Sequence, residues 1–190
     1  MPDYIHGDTD HKEIARLEHM AAFTATFIFH DFNLHPGQRV LDLACGTGAM
    51  TEQLANYFPG INLCGVDIQR RSLQVAQAEY PIAFYLQADG SHLPFADDTL
   101  DCVHCSWLLE HVQSPINVLS EVSRVLKIGG QCQFIEVENS TFRTIPEFPE
   151  IVDVMSTLNQ IQIENDGDPY LGRRFRHYLV THHHPTLSPR

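Results

Sequence analysis

The sequence predicts a doubly wound α/β fold with about five parallel strands flanked by helices. Three observations predict it: short apolar runs alternate with helical stretches, the links between them are short, and the first apolar run empties into a glycine loop. Strands this apolar suit a parallel sheet covered on both faces. A chain of 190 residues is long enough to bury one such core.

Residues 11–32 carry no Gly or Pro and place Ile14, Leu17, Met20, Ala21, Phe27 and Ile28 near helical spacing, after the polar Asp8-Thr9-Asp10. That pattern predicts an amphipathic leading helix, in one or two pieces. His35-Pro36-Gly37-Gln38 reads as a turn, residues 39–44 as a first strand, and residues 49–56 as a helix that stops before Pro59-Gly60. A strand over 61–66, a helix over 70–79 and strands over 82–87 and 101–105 follow. A helix over 115–126, a turn at Gly129-Gly130 and a strand over 131–137 complete the alternation. Beyond Glu138 two helical stretches, 150–163 and 170–180, flank a loop, and no further strand is predicted. The organisation is thus an N-terminal helical cap over 1–35, a core over 36–138, and a C-terminal helical segment and tail over 139–190 of the same domain.

With 24 acidic and 12 basic side chains the formal charge is −12. A balance this acidic repels phosphate backbones and argues against nucleic acid as a partner. No apolar run approaches the span of a bilayer, and Met1-Pro2-Asp3-Tyr4-Ile5-His6 lacks the basic and apolar regions of an export signal, so the expected location is the cytoplasm. There the five cysteines are expected as free thiols. Cys102 and Cys105 have Cys-x-x-Cys spacing, but on a strand an offset of three points the side chains to opposite faces, which disfavours a shared metal or a disulfide. His182-His183-His184 lies in a tail without the preorganisation of a site, and no metal is expected.

The chemistry-bearing stretch is Leu41-Asp42-Leu43-Ala44-Cys45-Gly46-Thr47-Gly48, a strand running into glycines that open a helix. Such glycines let backbone approach a ligand, and the helix start offers free N–H groups. Asp67 closes the next strand about 20 residues after Gly46, where a carboxylate reaches ribose hydroxyls in nucleoside-binding sheets. A dinucleotide fingerprint wants a third glycine where this chain has Thr51, and Asp42 is awkward beside a pyrophosphate. An acid there suits a cationic sulfonium and an α-amino group, which favours S-adenosylmethionine.

These residues resemble the class I S-adenosylmethionine-dependent methyltransferases, in particular the ubiquinone/menaquinone-biosynthesis-like small-molecule subgroup. Val40 to Gly48 resembles the first motif, Gly65-Val66-Asp67-Ile68 the second, and Gln87-Ala88-Asp89-Gly90-Ser91-His92-Leu93-Pro94-Phe95 the third. Leu100-Asp101-Cys102-Val103, Leu108-Leu109-Glu110-His111-Val112 and the run from Glu121 to Gly130 follow in order. The resemblance implies a Rossmann-like sheet and S-adenosylmethionine as cofactor, with S-adenosylhomocysteine as product. It implies that Asp42, Ala44, Gly46 and Gly48 hold the methionine part, that Asp67 binds ribose, and that Ile68, Asp89 and Gly90 meet adenine. Ser106 and Trp107 would border the transferred methyl, with Trp107 in the acceptor pocket. Direct displacement needs alignment more than a metal, and His111, beside Glu110, is the candidate base for an acceptor that must lose a proton. His104 reads as a strand residue and His92 as a loop residue.

Members of this fold usually finish with an antiparallel hairpin on the fifth-strand edge, and no such hairpin is predicted here. The expected consequence is an exposed edge, covered in a homodimer by the segment 146–180. Two functions remain open: transfer of a methyl group to a small-molecule acceptor, and a truncated or degenerate S-adenosylmethionine-binding module that acts through association without turnover.

Overall fold

The computed structural model of the protein describes residues 11–30 and 32–175. Helix α1 (His11–Ile28) leads into β1 (Arg39–Leu43), α2 (Ala49–Tyr57), β2 (Asn62–Asp67), α3 (Arg70–Glu79) and β3 (Phe84–Gln87). Then come β4 (Leu100–Ser106), a 3-10 turn (Leu109–His111), α4 (Pro115–Val125), β5 (Leu126–Ile135), a second 3-10 turn (Asn139–Thr141) and α5 (Pro149–Glu164). All pairings are parallel, in the order β3-β2-β1-β4-β5, which is the doubly wound sheet predicted from the sequence. The connection reverses direction between β1 and β4, and open α/β sheets bind ligands at the carboxyl ends of strands beside such a switch.

Burial divides the apolar residues into two layers. On one face Leu41, Leu43, Val66, Val103 and Cys105 pack with Val118, Val122 and Val125 of α4. On the other, Val40, Leu63 and Cys102 pack with Ala21, Ala25 and Ile28 of α1 and Met50 and Leu54 of α2. Cys102 and Cys105 therefore face opposite layers, and both are free thiols.

Several element boundaries differ from those the sequence pattern predicts, most by a residue or two. Helix α1 ends at Ile28, short of Phe32. Strand β3 begins at Phe84 because Pro81 and a hydrogen bond from the Ile82 N–H to the Tyr80 carbonyl occupy the preceding turn. Strand β5 begins at Leu126, five residues before Gln131, and carries Gly129 at φ 81 inside it. Leu126 pairs with Leu100, and the register shifts before Cys102 meets Gln131, so the glycines form a bulge rather than a strand-starting turn.

After α5, residues 171–175 are helical and strap back onto the end of β5: the Gly172 N–H donates to the Val137 carbonyl and Leu171 is fully buried. The rest of the predicted 170–180 helix and the His182-His183-His184 run lie outside the described residues. Among the described residues there is no strand after β5, and no helix is long and apolar enough to cross a membrane.

Candidate functional site

The loop leaving β1 reaches α2 through alternating left-handed residues: Ala44 at φ 60, Gly46 at φ 53 and Gly48 at φ 89. Gly48 is doubly required, because a Cβ there would also meet Ala76 and Tyr80 at 3.0 Å. A Cβ on Gly46, by contrast, would meet nothing within 4 Å, so this stretch of backbone faces open space. Gly48 caps α2 without any side-chain acceptor, leaving the first helical N–H groups to the crevice.

Asp67, at the end of β2, ties the loop down. Its Oδ2 accepts from the Gly46 N–H at 2.9 Å and its Oδ1 from the Gln69 N–H at 2.7 Å. Asp42 sits one strand away, 2% exposed, and accepts from the Thr51 hydroxyl on α2. Burial pushes the Asp42 carboxyl up to about 7, with the Thr51 hydrogen bond opposing and the Asp67 charge reinforcing the rise. Burial also raises Asp67, against the backbone hydrogen bonds that favour its charged form. Among the described residues neither carboxylate has a basic partner. Two neighbouring acids are thus held at the ends of β1 and β2, Asp42 beneath the glycine loop and Asp67 against it.

The loop after β3 brings Asp89 and Gly90 to the same end of the sheet. Asp89 Oδ1 accepts from both the N–H and the hydroxyl of Ser91 at 2.8 Å, an Asx-type turn. Oδ2 accepts from nothing among the described residues. Arg124 of α4 clamps this loop from below, donating to the Phe95 and Leu93 carbonyls at 2.8 and 3.0 Å. Ile68 is 42% exposed at the end of β2, an apolar side chain left at the crevice rim.

At the exit of β4, Ser106 and Trp107 lie beside the glycine loop. Trp107 is left-handed at φ 55, its N–H donates to the Ile135 carbonyl at 2.8 Å, and its ring packs with the α1 layer. His111 follows in the 3-10 turn, its Nε2 3.6 Å from Glu110 Oε1. The turn is held by a residue that sequence reasoning missed: Glu136, just past β5, accepts from the Leu109 and Glu110 N–H groups at 2.9 and 3.2 Å. Burial pushes Glu136 up to about 7. Glu110 is buried, its carboxyl raised by that burial, and accepts from Gln162 of α5 at 2.9 Å. An acid directly after an apolar strand was the available signal for Glu136; nothing local marks Gln162.

Asp42, Ala44, Gly46, Gly48, Asp67, Ile68, Asp89, Gly90, Ser106 and Trp107 are thus all carried at or just past the carboxyl ends of β1, β2, β3 and β4, with His111 on the next turn. Thr51, which breaks the dinucleotide pattern, is fully buried and orients Asp42. An open cavity of about 790 Å³ lies elsewhere, lined by Phe142, Met155, Asn159 and Tyr170 among others and by none of the glycine-loop residues.

The family described as "Methyltransferase domain" matches residues 41–134. A demethylmenaquinone methyltransferase of Renibacterium salmoninarum is 37% identical over 107 residues, 56% of this chain and 44% of that protein. A ubiquinone/menaquinone biosynthesis C-methyltransferase of Desulfotalea psychrophila is 38% identical over 97 residues, 50% of this chain and 39% of that one. The chain thus matches less than half the length of these relatives. The crystal structure of BH2331 from Bacillus halodurans shares the fold, with a TM-score of 0.61 at 24% identity over 90% of this chain and 68% of that one.

Proposed function

We propose that this chain is a class I S-adenosylmethionine-dependent methyltransferase that transfers a methyl group from that cofactor to a small-molecule acceptor, at an electron-rich aromatic ring carbon. The observation that carries the reading is the pair of acids, Asp42 and Asp67, which have no basic partner among the described residues and lie beside a glycine cradle open to a ligand. When bound, S-adenosylmethionine supplies a sulfonium-activated methyl group. A sulfonium and an α-ammonium would meet Asp42 and the backbone of Ala44, Gly46 and Gly48; the ribose hydroxyls would meet Asp67; and adenine would meet Ile68, Asp89 Oδ2 and the Gly90 N–H. The first relatives' names support the acceptor class, since both concern methylation in quinone biosynthesis.

The protein's part in such a displacement is to align the two reactants and keep water out. Transfer to an aromatic carbon forms a C–C bond as the C–S bond breaks and leaves a ring proton to remove. His111 would take it, a reading supported by the Glu110 carboxylate 3.6 Å away that would steady the imidazolium. Label from the S-adenosylmethionine methyl group should appear in a phenolic or quinol acceptor. His111→Asn should cut kcat about 100-fold, within the range of general-base effects, while leaving the KM for the cofactor within about twofold. An unchanged kcat removes His111 from the chemistry.

The division into a cap over 1–35, a cofactor core over 36–138 and an acceptor-side segment from 139 belongs to the same proposal, as does a cytoplasmic setting, supported by five free thiols. Self-association is supported by the edge position of β5 and by Val152, Val154 and Ile163 exposed on α5. Light scattering at micromolar concentration reads it, and a monomer contradicts it.

A further inference from the structure

One row of residues crosses the whole sheet in register just below the crevice: Tyr85 beside Gly65, Gly65 beside Asp42, Asp42 beside His104, and His104 beside Gln133. Asp42 belongs to the site already described. His104 does not, yet a fully buried imidazole in the middle of a parallel sheet needs a reason.

Its two nitrogens are both engaged. Nδ1 lies 3.1 Å from Gln133 Oε1, and Nε2 lies 2.8 Å from Ser106 Oγ. Gln133 settles the direction of the first contact. Its Nε2 donates to the Ile28 carbonyl at the end of α1, a group that can only accept, so the amide oxygen is what faces the ring. Nδ1 must then carry the proton. Nε2 is left as an acceptor, and the Ser106 hydroxyl must donate to it. Burial against the edge of the Phe29 ring, with centroids 5.5 Å apart, keeps the imidazole neutral, its pKa lowered to about 4.

With its only proton turned inward, Ser106 can offer nothing but lone pairs to the crevice. We propose that His104 is a positioning residue that fixes Ser106 as an obligate hydrogen-bond acceptor, so that the end of β4 selects a ligand group that donates, and specifically the ammonium of the S-adenosylmethionine methionine moiety. This rests on the methyltransferase reading above. A continuous run of hydrogen bonds joins the Ile28 carbonyl at the α1 terminus to Ser106 through Gln133 and the ring.

The test has two arms. In the unmodified protein at neutral pH, nitrogen NMR of the histidine rings should show one neutral imidazole with its proton on Nδ1, lost from the spectrum in His104→Gln. A His104 ring protonated on Nε2, or on both nitrogens, overturns the proposal whether or not cofactor binds. In calorimetry with S-adenosylmethionine, Ser106→Ala and His104→Leu should each weaken binding about tenfold, and the double variant should be no weaker than either, because both remove one interaction. His104→Gln, whose amide can accept from Ser106 and donate to Gln133, should recover most of the loss. Losses that multiply in the double variant would show that His104 serves only packing. No binding by the unmodified protein would remove the methyltransferase reading and this proposal with it, whereas binding with multiplied losses removes this proposal alone.

Discussion

Asp42→Asn should make the free protein more stable at pH 8 and at the same time weaken its hold on S-adenosylmethionine. The carboxyl of Asp42 titrates near 7 in the folded chain, against an ordinary value of 3.8, because burial outweighs the hydroxyl of Thr51. Between those values the folded state holds a proton that the unfolded state has lost. Stability therefore falls as pH rises through that window, and above it the full cost of the buried charge remains, about 4 kcal/mol at about 1.4 kcal/mol per unit. Asparagine removes the charge and still accepts from Thr51, but its amide N–H groups need partners, at a cost of about 1–3 kcal/mol. The net gain should be roughly 1–3 kcal/mol at pH 8, shrinking toward pH 5, as read from thermal unfolding across that range. Binding should move the other way. Loss of the counter-charge should weaken S-adenosylmethionine about 10-fold to 100-fold, and S-adenosylhomocysteine, which lacks the sulfonium, by less. Binding by the unmodified protein should also tighten from pH 6 to pH 8 as Asp42 ionises. A variant that binds both ligands as before would free Asp42 of any role toward the cofactor.

Asp67→Ala should weaken both ligands by about the same large factor. Both carboxylate oxygens already accept from backbone N–H groups, those of Gly46 and Gln69, so the side chain shapes the loop as well as offering lone pairs to ribose. Removing it leaves two N–H groups without an acceptor and a glycine loop without its anchor, worth about 2–3 kcal/mol or about 100-fold in affinity. Asparagine should not rescue, because one of its two positions presents a donor to a donor. Equal losses for the two ligands, against unequal losses for Asp42→Asn, separate an anchor for the nucleoside from a counter-ion for the sulfonium. Asp67→Ala binding within about threefold of the unmodified protein would overturn the assignment.

Much of this was legible in the chain because the signals are local. An acid inside the apolar run of β1, glycines where the strand ends, and a second acid closing β2 are each readable from a few neighbours, and together they mark a switch-point crevice. The failures are of two physical kinds. At Gly129-Gly130 the usual meaning of paired glycines, a turn, was overridden by pairing of Leu126 with Leu100, which turned the same residues into a bulge inside β5. At Gln133, His104 and Glu136 the role depends on a partner far away in sequence: Gln133 meets Ile28 across 105 residues, His104 meets Gln133 across 29 and Leu109 meets Glu136 across 27. Pattern reading sees a polar residue in a strand or a helix there and has no means of knowing what lies opposite.

The proposed function rests on two acids, Asp42 and Asp67, holding a cationic nucleoside at the ends of β1 and β2. Titration calorimetry of the unmodified protein with S-adenosylmethionine, at pH 7 in two buffers of different ionisation heat, tests it most directly. Saturable binding is expected at micromolar to sub-millimolar concentration, with protons released to the buffer as Asp42 ionises against the ligand. No heat of binding up to millimolar ligand would contradict it.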